Sequence, residues 1–271
     1  MLRLHGSVYR EDGIMVVRYI IKVEMKKGKK RVLFIILGVV GVIFILSIIL
    51  LVNVLPVLSM QPIETGEVLD TGIYAVKNNS NNLFFIKAEN GYIVIDAGSD
   101  ASAVEESMKE NEISPLDVKY VLLTHTDYDH ITALSLFSNA EIFMSEDELQ
   151  MIDGSTKRNI FSKNMLPESI DLSSITLLAD REKIDLGGFT IESVKAPGHT
   201  LGSMAYIIDE QYLFTGDAFK VSDNIMKIHP FTMNKQIAFS TIQKLKKTKE
   251  GIKLVFTAHY GYFEADKIAT K

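Results

Sequence analysis

The sequence predicts an α/β domain preceded by one membrane-spanning helix, on the basis of three observations. An apolar run without a charged side chain occupies residues 32–52. After it, short β-branched and aliphatic runs alternate with segments of helical periodicity, which is the pattern of α/β proteins. Histidine and aspartate residues directly follow several of these runs, at positions where the edge of a sheet would bring them together.

The apolar run exceeds the roughly 20 residues that a helix needs to cross a bilayer. The chain after it is neutral and then acidic, whereas five basic residues stand just before it: Lys26, Lys27, Lys29, Lys30 and Arg31. The positive-inside rule therefore predicts a single-pass protein of the cell membrane. We expect a cytoplasmic basic arm at residues 1–31, a signal anchor at 32–55, a linker at 56–66 and an extracytoplasmic domain at 67–271.

Two alternatives concern this N-terminal part. The first is a cleaved signal peptide, although the apolar run is longer than the usual core of such a peptide and Val57-Leu58-Ser59-Met60 offers no clear cleavage site. The second is a later start, because Met25 opens a sequence typical of a signal anchor. Residues 1–24 show no periodicity that would predict an element.

The first part of the domain is predicted to contain strands followed by a helix. Apolar runs indicate strands at residues 73–76, 83–86 and 92–96. Asn90-Gly91 is a strong signal for a hairpin between the last two. The polar stretch 78–82 is interpreted as a turn that joins two strands. A helical pattern then covers residues 99–111.

The next segment, Thr-His-Thr-Asp-Tyr-Asp-His at residues 124–130, directly follows a strand-like run. It places two imidazoles, of His125 and His130, and two carboxylates, of Asp127 and Asp129, within six residues. Imidazole nitrogen and carboxylate oxygen are both ligands of divalent ions. Four candidates exceed what one turn can aim at a single ion, which favours two metals. The alternative is a polar loop whose aspartates cap the next helix.

Three further polar residues follow strand-like runs at turns that contain glycine. His199 lies in Pro-Gly-His-Thr, Asp217 in Thr-Gly-Asp, and His259 in His-Tyr-Gly. A sheet edge would gather these side chains although they are distant in sequence. Of the six histidines, two remain outside the pattern. We assign no role to His5. We interpret His229, which precedes a proline, as an ordinary loop histidine, and the alternative is that it reaches a substrate from its loop.

The order H-x-D-x-D-H, P-G-H-T, T-G-D and a late H-x-G resembles the metallo-β-lactamase superfamily, over roughly residues 66–261. The resemblance implies a four-layer αββα sandwich with two divalent ions at the edge where the two sheets meet. It implies a first metal held by His125, Asp127 and His199. The second metal would be held by Asp129, His130 and His259, and Asp217 would bridge the two ions.

Asp127 departs from the commonest family pattern, which has a histidine at this position. An added hard oxygen ligand shifts the preference from zinc, the metal that the resemblance implies, towards manganese or iron. Flavodiiron proteins are similar in carrying a glutamate here, and the metallo-hydrolase domain of membrane DNA-uptake proteins is similar in carrying an aspartate. The alternative is that Asp127 steers a ligating histidine without binding metal.

The resemblance implies a metallo-hydrolase in which a metal-bound hydroxide attacks an ester, lactone, thioester, amide or phosphoester. Asp129, beside both expected ions, is the residue that we expect to orient the nucleophile and carry its proton. In this superfamily specificity resides in insertions, so the irregular stretch at residues 150–171 is the expected substrate-contacting segment. It contains Arg158, Asn159, Phe161, Lys163, Asn164 and Met165.

Three other functions stay open at this point. The carboxylate of Asp127 is compatible with a diiron redox or oxygen-handling protein of the flavodiiron type, although no flavin-binding or cysteine-rich segment is present. A phosphodiesterase or nuclease that resembles the DNA-uptake domain is the second, and a metal-stabilised binding module is the third.

Charge and cysteine content limit the binding partners and the metal ligands that this chain can have. Residues 1–60 carry nine Lys and Arg against three Asp and Glu, and the remaining residues carry 20 against 31, a net charge of −11. An acidic domain repels nucleic acid, so we expect a small-molecule substrate, with the membrane contacted through the N-terminal helix. The chain has no cysteine, which excludes disulfides and thiolate metal ligands.

Overall fold

The computed structural model describes residues 2–12, 14–23, 27–158, 164–248 and 251–269. The chain forms two compact units, Met1–Leu58 and Ser59–Lys271. The first unit consists of β1 (Leu2–Glu11), β2 (Ile14–Val23) and α1 (Lys27–Leu58). The strands β1 and β2 form an antiparallel pair, so a hairpin occupies part of the predicted arm, where the sequence indicated no element. Met25, the alternative start, lies outside the described residues.

Helix α1 is the predicted apolar segment. Its portion Gly28–Leu58 has 31 residues and contains an 18-residue window with a mean hydropathy of 3.3. By length and composition it qualifies as a membrane span or a signal sequence. The helix is longer than the predicted 32–55 at both ends. It continues through Pro56, although an interior proline removes a backbone donor and disfavours the helix, and it takes up the start of the predicted linker.

The second unit contains the remaining elements. Its strands are β3 (Gly66–Glu67), β4 (Ile73–Asn78), β5 (Asn81–Ala88), β6 (Gly91–Ile95), β7 (Val118–Leu122), β8 (Glu141–Ser145), β9 (Thr176–Leu178), β10 (Lys183–Leu186), β11 (Phe189–Lys195), β12 (Met204–Ile208), β13 (Tyr212–Phe214), β14 (Lys220–Ser222), β15 (Ile225–Lys227), β16 (Leu254–Thr257) and β17 (Gly261–Glu264). Its α-helices are α2 (Ala101–Glu110), α3 (Tyr128–Ile131), α4 (Leu149–Asp153) and α5 (Lys235–Thr248). Short 3-10 turns lie at Pro115–Asp117, Thr132–Phe137, Glu146–Glu148, Leu172–Ser174 and Ala265–Lys267.

Two large sheets organise this unit. The first has seven strands in the order β3-β4-β5-β6-β7-β8-β9, antiparallel as far as β6 and parallel from β6 to β9. The second has six strands in the order β10-β11-β12-β13-β16-β17, and only its β13–β16 pair is parallel. Strands β14 and β15 form a separate hairpin.

Alternating side chains bury both faces of each sheet. In β5, Phe84 and Ile86 belong to a core that both sheets share, whereas Leu83 and Phe85 pack with residues of α2 on the other face. In β12, Tyr206 points into the shared core and Ala205 packs with residues of α5. Each fully buried large side chain contributes about 1.5–3 kcal/mol to folding. The resulting layers, helix, sheet, sheet and helix, confirm the predicted αββα sandwich.

The strand ends define one edge of this sandwich. Asp96 follows β6 with a φ of 60°, and the motif loop at residues 124–130 follows β7. From the second sheet, Asp217 follows β13 and His259 follows β16. A Cβ atom on Gly216, which has a φ of 50°, would lie 2.3 Å from Thr124 Oγ1. Only glycine therefore allows the loops of the two sheets to approach this closely.

Candidate metal centre

The structure brings the seven residues that the sequence singled out to this edge. The ligand atoms of His125, His199 and Asp217 all lie within 4.8 Å of one another, and so do those of a second group, Asp129, His130 and His259. Asp217 Oδ2 lies 3.2 Å from both His199 Nε2 and His259 Nε2. Asp217 therefore stands between the two groups, as expected for a bridging carboxylate.

Asp127 lies on the first side of the centre. Its Oδ2 atom is 3.4 Å from His125 Nε2 and 3.0 Å from His199 Nε2. Burial opposes the charged form of this carboxyl, but the adjacent His125 and His199 hold its pKa well below the usual range. Asp217 follows the same pattern, because burial is outweighed by His259, His229 and His199 and the pKa is again well below normal. Both carboxylates are therefore ionised at neutral pH.

Hydrogen bonds to the Nδ1 atoms fix the orientation of three imidazoles. His130 Nδ1 donates to Asp96 Oδ2 at 2.8 Å, and His259 Nδ1 donates to the Ser80 carbonyl at 2.7 Å. The Thr124 hydroxyl donates to Asp96, so it accepts from His125 Nδ1 at 3.0 Å. In each ring the Nε2 atom is consequently the one that faces the centre.

The donor set fits divalent metal ions. His125 Nε2, His130 Nε2 and Asp217 Oδ1 are buried and have no hydrogen-bond partner in the structure. Unpartnered buried polar atoms are costly, and several that converge on ionised carboxylates are typical of atoms reserved for a cation. With no cysteine in the chain, imidazole and carboxylate are the ligands that this centre offers.

The chain matches a known protein family over the region that contains this centre. The family model of the metallo-beta-lactamase superfamily matches residues 77–259. The chain belongs to this superfamily. It is accordingly a metallo-hydrolase by family, as the sequence predicted, and the match includes every residue of the two ligand groups.

Several curated relatives are about a quarter identical to the chain over the aligned residues. A probable metallo-hydrolase of Methanocaldococcus jannaschii is 26% identical over 180 residues, which are 65% of this chain and 74% of the relative. A probable polyketide biosynthesis zinc-dependent hydrolase of Bacillus velezensis is 28% identical over 143 residues, 51% of this chain and 55% of the relative. A hydroxyacylglutathione hydrolase of Actinobacillus pleuropneumoniae is 24% identical over 181 residues, 67% of this chain and 66% of the relative. The chain thus spans between about half and three quarters of their lengths.

A solved structure supports the same fold. A metallo-beta-lactamase family protein of Thermus thermophilus has a TM-score of 0.54 and 21% identity. The similarity covers 74% of this chain and 77% of that protein. At this identity the comparison concerns the sandwich alone.

His229 is buried beside Asp217 at the candidate metal centre, so its interpretation as an ordinary loop histidine was wrong. Its Nε2 atom is 3.7 Å from Asp217 Oδ2, and its ring centroid is 4.9 Å from that of His199. Both ring nitrogens are buried without a hydrogen-bond partner, and burial lowers the pKa of the imidazole to about 4. His229, Asp217 and His259 form a third group of neighbouring ligand atoms. The only signal in the sequence was an unassigned histidine between two motifs.

Glu148 is a second residue whose position the sequence did not reveal. Its carboxylate is fully buried. It accepts hydrogen bonds from the Thr126 backbone and hydroxyl, both at 2.8 Å, and from the Thr200 hydroxyl at 2.7 Å. Glu148 therefore joins the loop of His125 to the loop of His199, and burial raises its pKa.

The turn at residues 78–82 does more than join β4 to β5. Asn81 Nδ2 donates to the backbone carbonyl of Asp129, and Asn78 Oδ1 accepts from the backbone amides of Ser99 and Asp100 at 2.7 and 2.9 Å. The side chains of Asn78 and Asn81 are buried. The turn thus holds the backbone of α3 through Asn81 and the start of α2 through Asn78. The polar stretch in the sequence does not indicate these contacts.

The expected substrate-contacting segment is described only in part, because Asn159, Phe161 and Lys163 lie outside the described residues. On either side of them, Arg158 and Asn164 both reach Asp127. The Asn164 Nδ2 atom lies 3.1 Å from Asp127 Oδ1 and 3.1 Å from Thr126 Oγ1. Two side chains of this segment therefore contact the centre directly.

Metal uptake by the centre should release protons at neutral pH. Burial alone would lower the pKa of His130, but the carboxylates of Asp96 and Asp129 raise it to about 10. Since Nδ1 bonds Asp96, the Nε2 proton must leave before the ring can bind a metal, and affinity should rise with pH up to about 10. Calorimetric titration at pH 7 in two buffers of different ionisation enthalpy should detect at least one released proton. Release unchanged in His130→Ala would contradict this assignment.

Proposed function

We propose that the chain is a membrane-anchored, metal-dependent hydrolase of a small molecule with an ester, lactone, thioester, amide or phosphoester bond. The carrying observation is the set of buried, unpartnered ligand atoms on His125, His130 and Asp217. The names of two relatives, a zinc-dependent hydrolase and a hydroxyacylglutathione hydrolase, support the proposal.

In this proposal seven residues hold two divalent ions: His125, Asp127, Asp129, His130, His199, Asp217 and His259. Zinc is favoured by the name of a relative, and manganese or iron by the oxygen ligand of Asp127. When bound, such ions provide Lewis acidity and lower the pKa of water towards 7. His229 would lie beside Asp217 as a further imidazole of the centre.

Asp129 is the proposed catalytic residue. Its Oδ2 atom lies 3.5 Å from His259 Nε2 and 3.8 Å from His130 Nε2. Its side chain is 22% exposed, compared with 5% for Asp217, so it can reach a water molecule and a substrate together. We propose that this carboxylate orients the attacking water, accepts its proton and returns it to the leaving group.

The remaining residues of the centre hold the reacting groups in place. Asp96 and Ser80 keep the imidazoles of His130 and His259 with Nε2 towards the other ligand atoms of the centre. Glu148 bonds Thr126 and Thr200 and so holds the loops of His125 and His199 in fixed positions relative to each other. Preorganisation of this kind lowers the cost of arranging charges during the reaction.

The proposal is tested on the full-length chain purified in detergent without added metal. Metal content would be measured by mass spectrometry, and turnover would be measured with ester, lactone, thioester and phosphodiester substrates. We expect bound divalent metal and chelator-sensitive hydrolysis of at least one class. Two irons with a redox-dependent spectrum would support the diiron function, and a chain without bound metal or turnover would support the binding module.

Replacing Asp127 by His should shift the metal preference towards zinc. A softer nitrogen ligand replaces a hard oxygen, so the ratio of bound zinc to bound manganese, measured from an equimolar mixture of the two ions, should rise about tenfold or more. Some hydrolysis should remain, because the second ligand group is unchanged. A matched Asp209→His variant, in the turn between β12 and β13, controls for the added histidine. An unchanged zinc share would show that Asp127 is not a ligand.

The membrane topology is proposed from α1 and from the basic residues before it. With the N-terminus in the cytoplasm, protease added to intact cells or spheroplasts should remove the domain that follows Leu58. An epitope tag at the C-terminus would report the loss on a blot, and a cytoplasmic protein would control for lysis. Survival of the tag until the cells are lysed would place the domain on the cytoplasmic side.

A further inference from the structure

Arg158 makes an unusual set of contacts at the first side of the centre. Its Nε atom lies 3.0 Å from Asp127 Oδ1, and its Nη2 atom contacts Oδ2 of the same carboxylate. The same Nη2 atom lies 2.7 Å from His199 Nε2, and Nη1 donates to the Phe231 carbonyl at 2.5 Å. Three hydrogen bonds thus hold the guanidinium against two of the expected metal ligands, and a fourth holds it to the backbone of Phe231. The arginine side chain is 21% exposed.

These contacts use the atoms that a metal ion would need. A guanidinium carries five N–H donors, has no acceptor atom and stays positively charged, so His199 Nε2 must accept the hydrogen bond with its lone pair. Both oxygens of Asp127 accept from Arg158 as well. Of the first ligand set, only His125 keeps its Nε2 atom without a hydrogen-bond partner.

The second side of the centre differs in this respect. Across the described ranges, no lysine or arginine bonds the side chain of Asp129, His130 or His259. His130 Nε2 has no hydrogen-bond partner, and His259 Nε2 faces the carboxylates of Asp129 and Asp217 at 3.5 and 3.2 Å. A metal ion can therefore bind here without displacing a lysine or arginine side chain.

We propose that Arg158 competes with the first metal for Asp127 and His199, so that the two metal positions fill with unequal affinity. The position of Asp129, His130 and His259 fills first, and the position of His125, Asp127 and His199 fills only when the guanidinium withdraws. This inference rests on the proposed function, because it presupposes a centre that binds divalent ions. Within that function it assigns Arg158 as the residue that sets metal occupancy.

The size of the effect follows from the type of contact. A bidentate arginine–carboxylate pair is roughly twice as strong as neutral hydrogen bonds, and its partial exposure to solvent reduces that advantage. An affinity difference of about tenfold or more between the two positions is therefore expected. Loss of the guanidinium should remove most of this difference.

The experiment measures metal binding and does not depend on turnover. Full-length wild-type chain in detergent, stripped with chelator, would be titrated with zinc and with manganese, and bound metal would be counted after equilibrium dialysis. The wild type should retain one ion at concentrations where Arg158→Met retains two. Arg158→Met with Asp127→Ala should return to one ion, because the first position then lacks its carboxylate.

Arg181→Met is the matched control, since Arg181 forms a comparable pair with Glu192 at 2.7 Å, exposed at the surface. It should bind like the wild type. Two ions of equal affinity in the wild type would overturn the proposal even if the Arg158 variant failed to fold, and so would an Arg158→Met protein with unchanged stoichiometry. A wild type that binds no metal at all would instead refute the proposed function.

Discussion

Replacing His130 by Ala is expected to reduce hydrolysis by more than about a hundredfold. Loss of a residue that only orients a metal ligand costs up to about a hundredfold, and loss of the ligand itself should cost more. His130 is completely buried. Its Nδ1 atom bonds Asp96, and its Nε2 atom has no hydrogen-bond partner. The variant loses a nitrogen ligand and leaves Asp96 without one of its hydrogen bonds. Bound metal should fall from the wild-type stoichiometry together with the rate.

The control for this variant is Tyr128→Phe, two residues earlier in the same loop. The Tyr128 side chain is 74% exposed and belongs to neither ligand group, so activity and metal content should be those of the wild type. Thermal unfolding of both variants separates loss of the ligand from loss of the fold. A folded His130→Ala protein with wild-type metal content and turnover would remove His130 from the centre.

Replacing Asp129 by Asn is expected to lower kcat by about 10²–10⁴, the range for loss of a general acid–base group. The amide has nearly the same shape and retains an oxygen that can face His259 and His130, but it cannot accept a proton from water. Since the change affects the chemical step, KM should change much less than kcat. Metal content should remain measurable, which distinguishes this variant from His130→Ala.

Asp266→Asn makes the same substitution on an exposed residue of the C-terminal 3-10 turn and should leave both constants unchanged. If Asp129→Asn lost metal and rate in equal proportion, and added metal restored the rate, Asp129 would be a ligand without a catalytic role. A folded variant with the wild-type kcat would exclude both roles.

The fold was predictable because its signals are local. Strands such as β5 and β6 are short apolar runs that meet at Asn90-Gly91, and their periodicity determines which side chains point to each face. The seven ligand candidates were also predictable, because each follows a strand end and strand ends share an edge in a sandwich. Their roles as ligands stay predictions until metal binding is measured.

Other features depended on contacts between distant segments. Arg158 meets Asp127 across 31 residues and Phe231 across 73, and Glu148 meets Thr200 across 52. His229 enters the centre because the chain between β15 and α5 brings it beside Asp217. Arg158, Glu148 and His229 do not belong to a spaced motif, so composition and periodicity carried no sign of their contacts.

The sequence by itself determined the α/β alternation, the long apolar helix and the residue types available to a metal centre, because period and length are properties of the chain before it folds. The αββα arrangement was implied by the family resemblance, which rests on the order of the motifs. The tertiary structure alone decided which buried polar groups face those ligands. Hydrogen bonding and ion pairing act over about 3 Å, and only folding brings Asp96, Glu148, Arg158 and His229 within that distance of their partners or close to it. The motif assigned the carboxylate of Asp127 to a metal, whereas in the folded chain both of its oxygens accept hydrogen bonds from the guanidinium of Arg158.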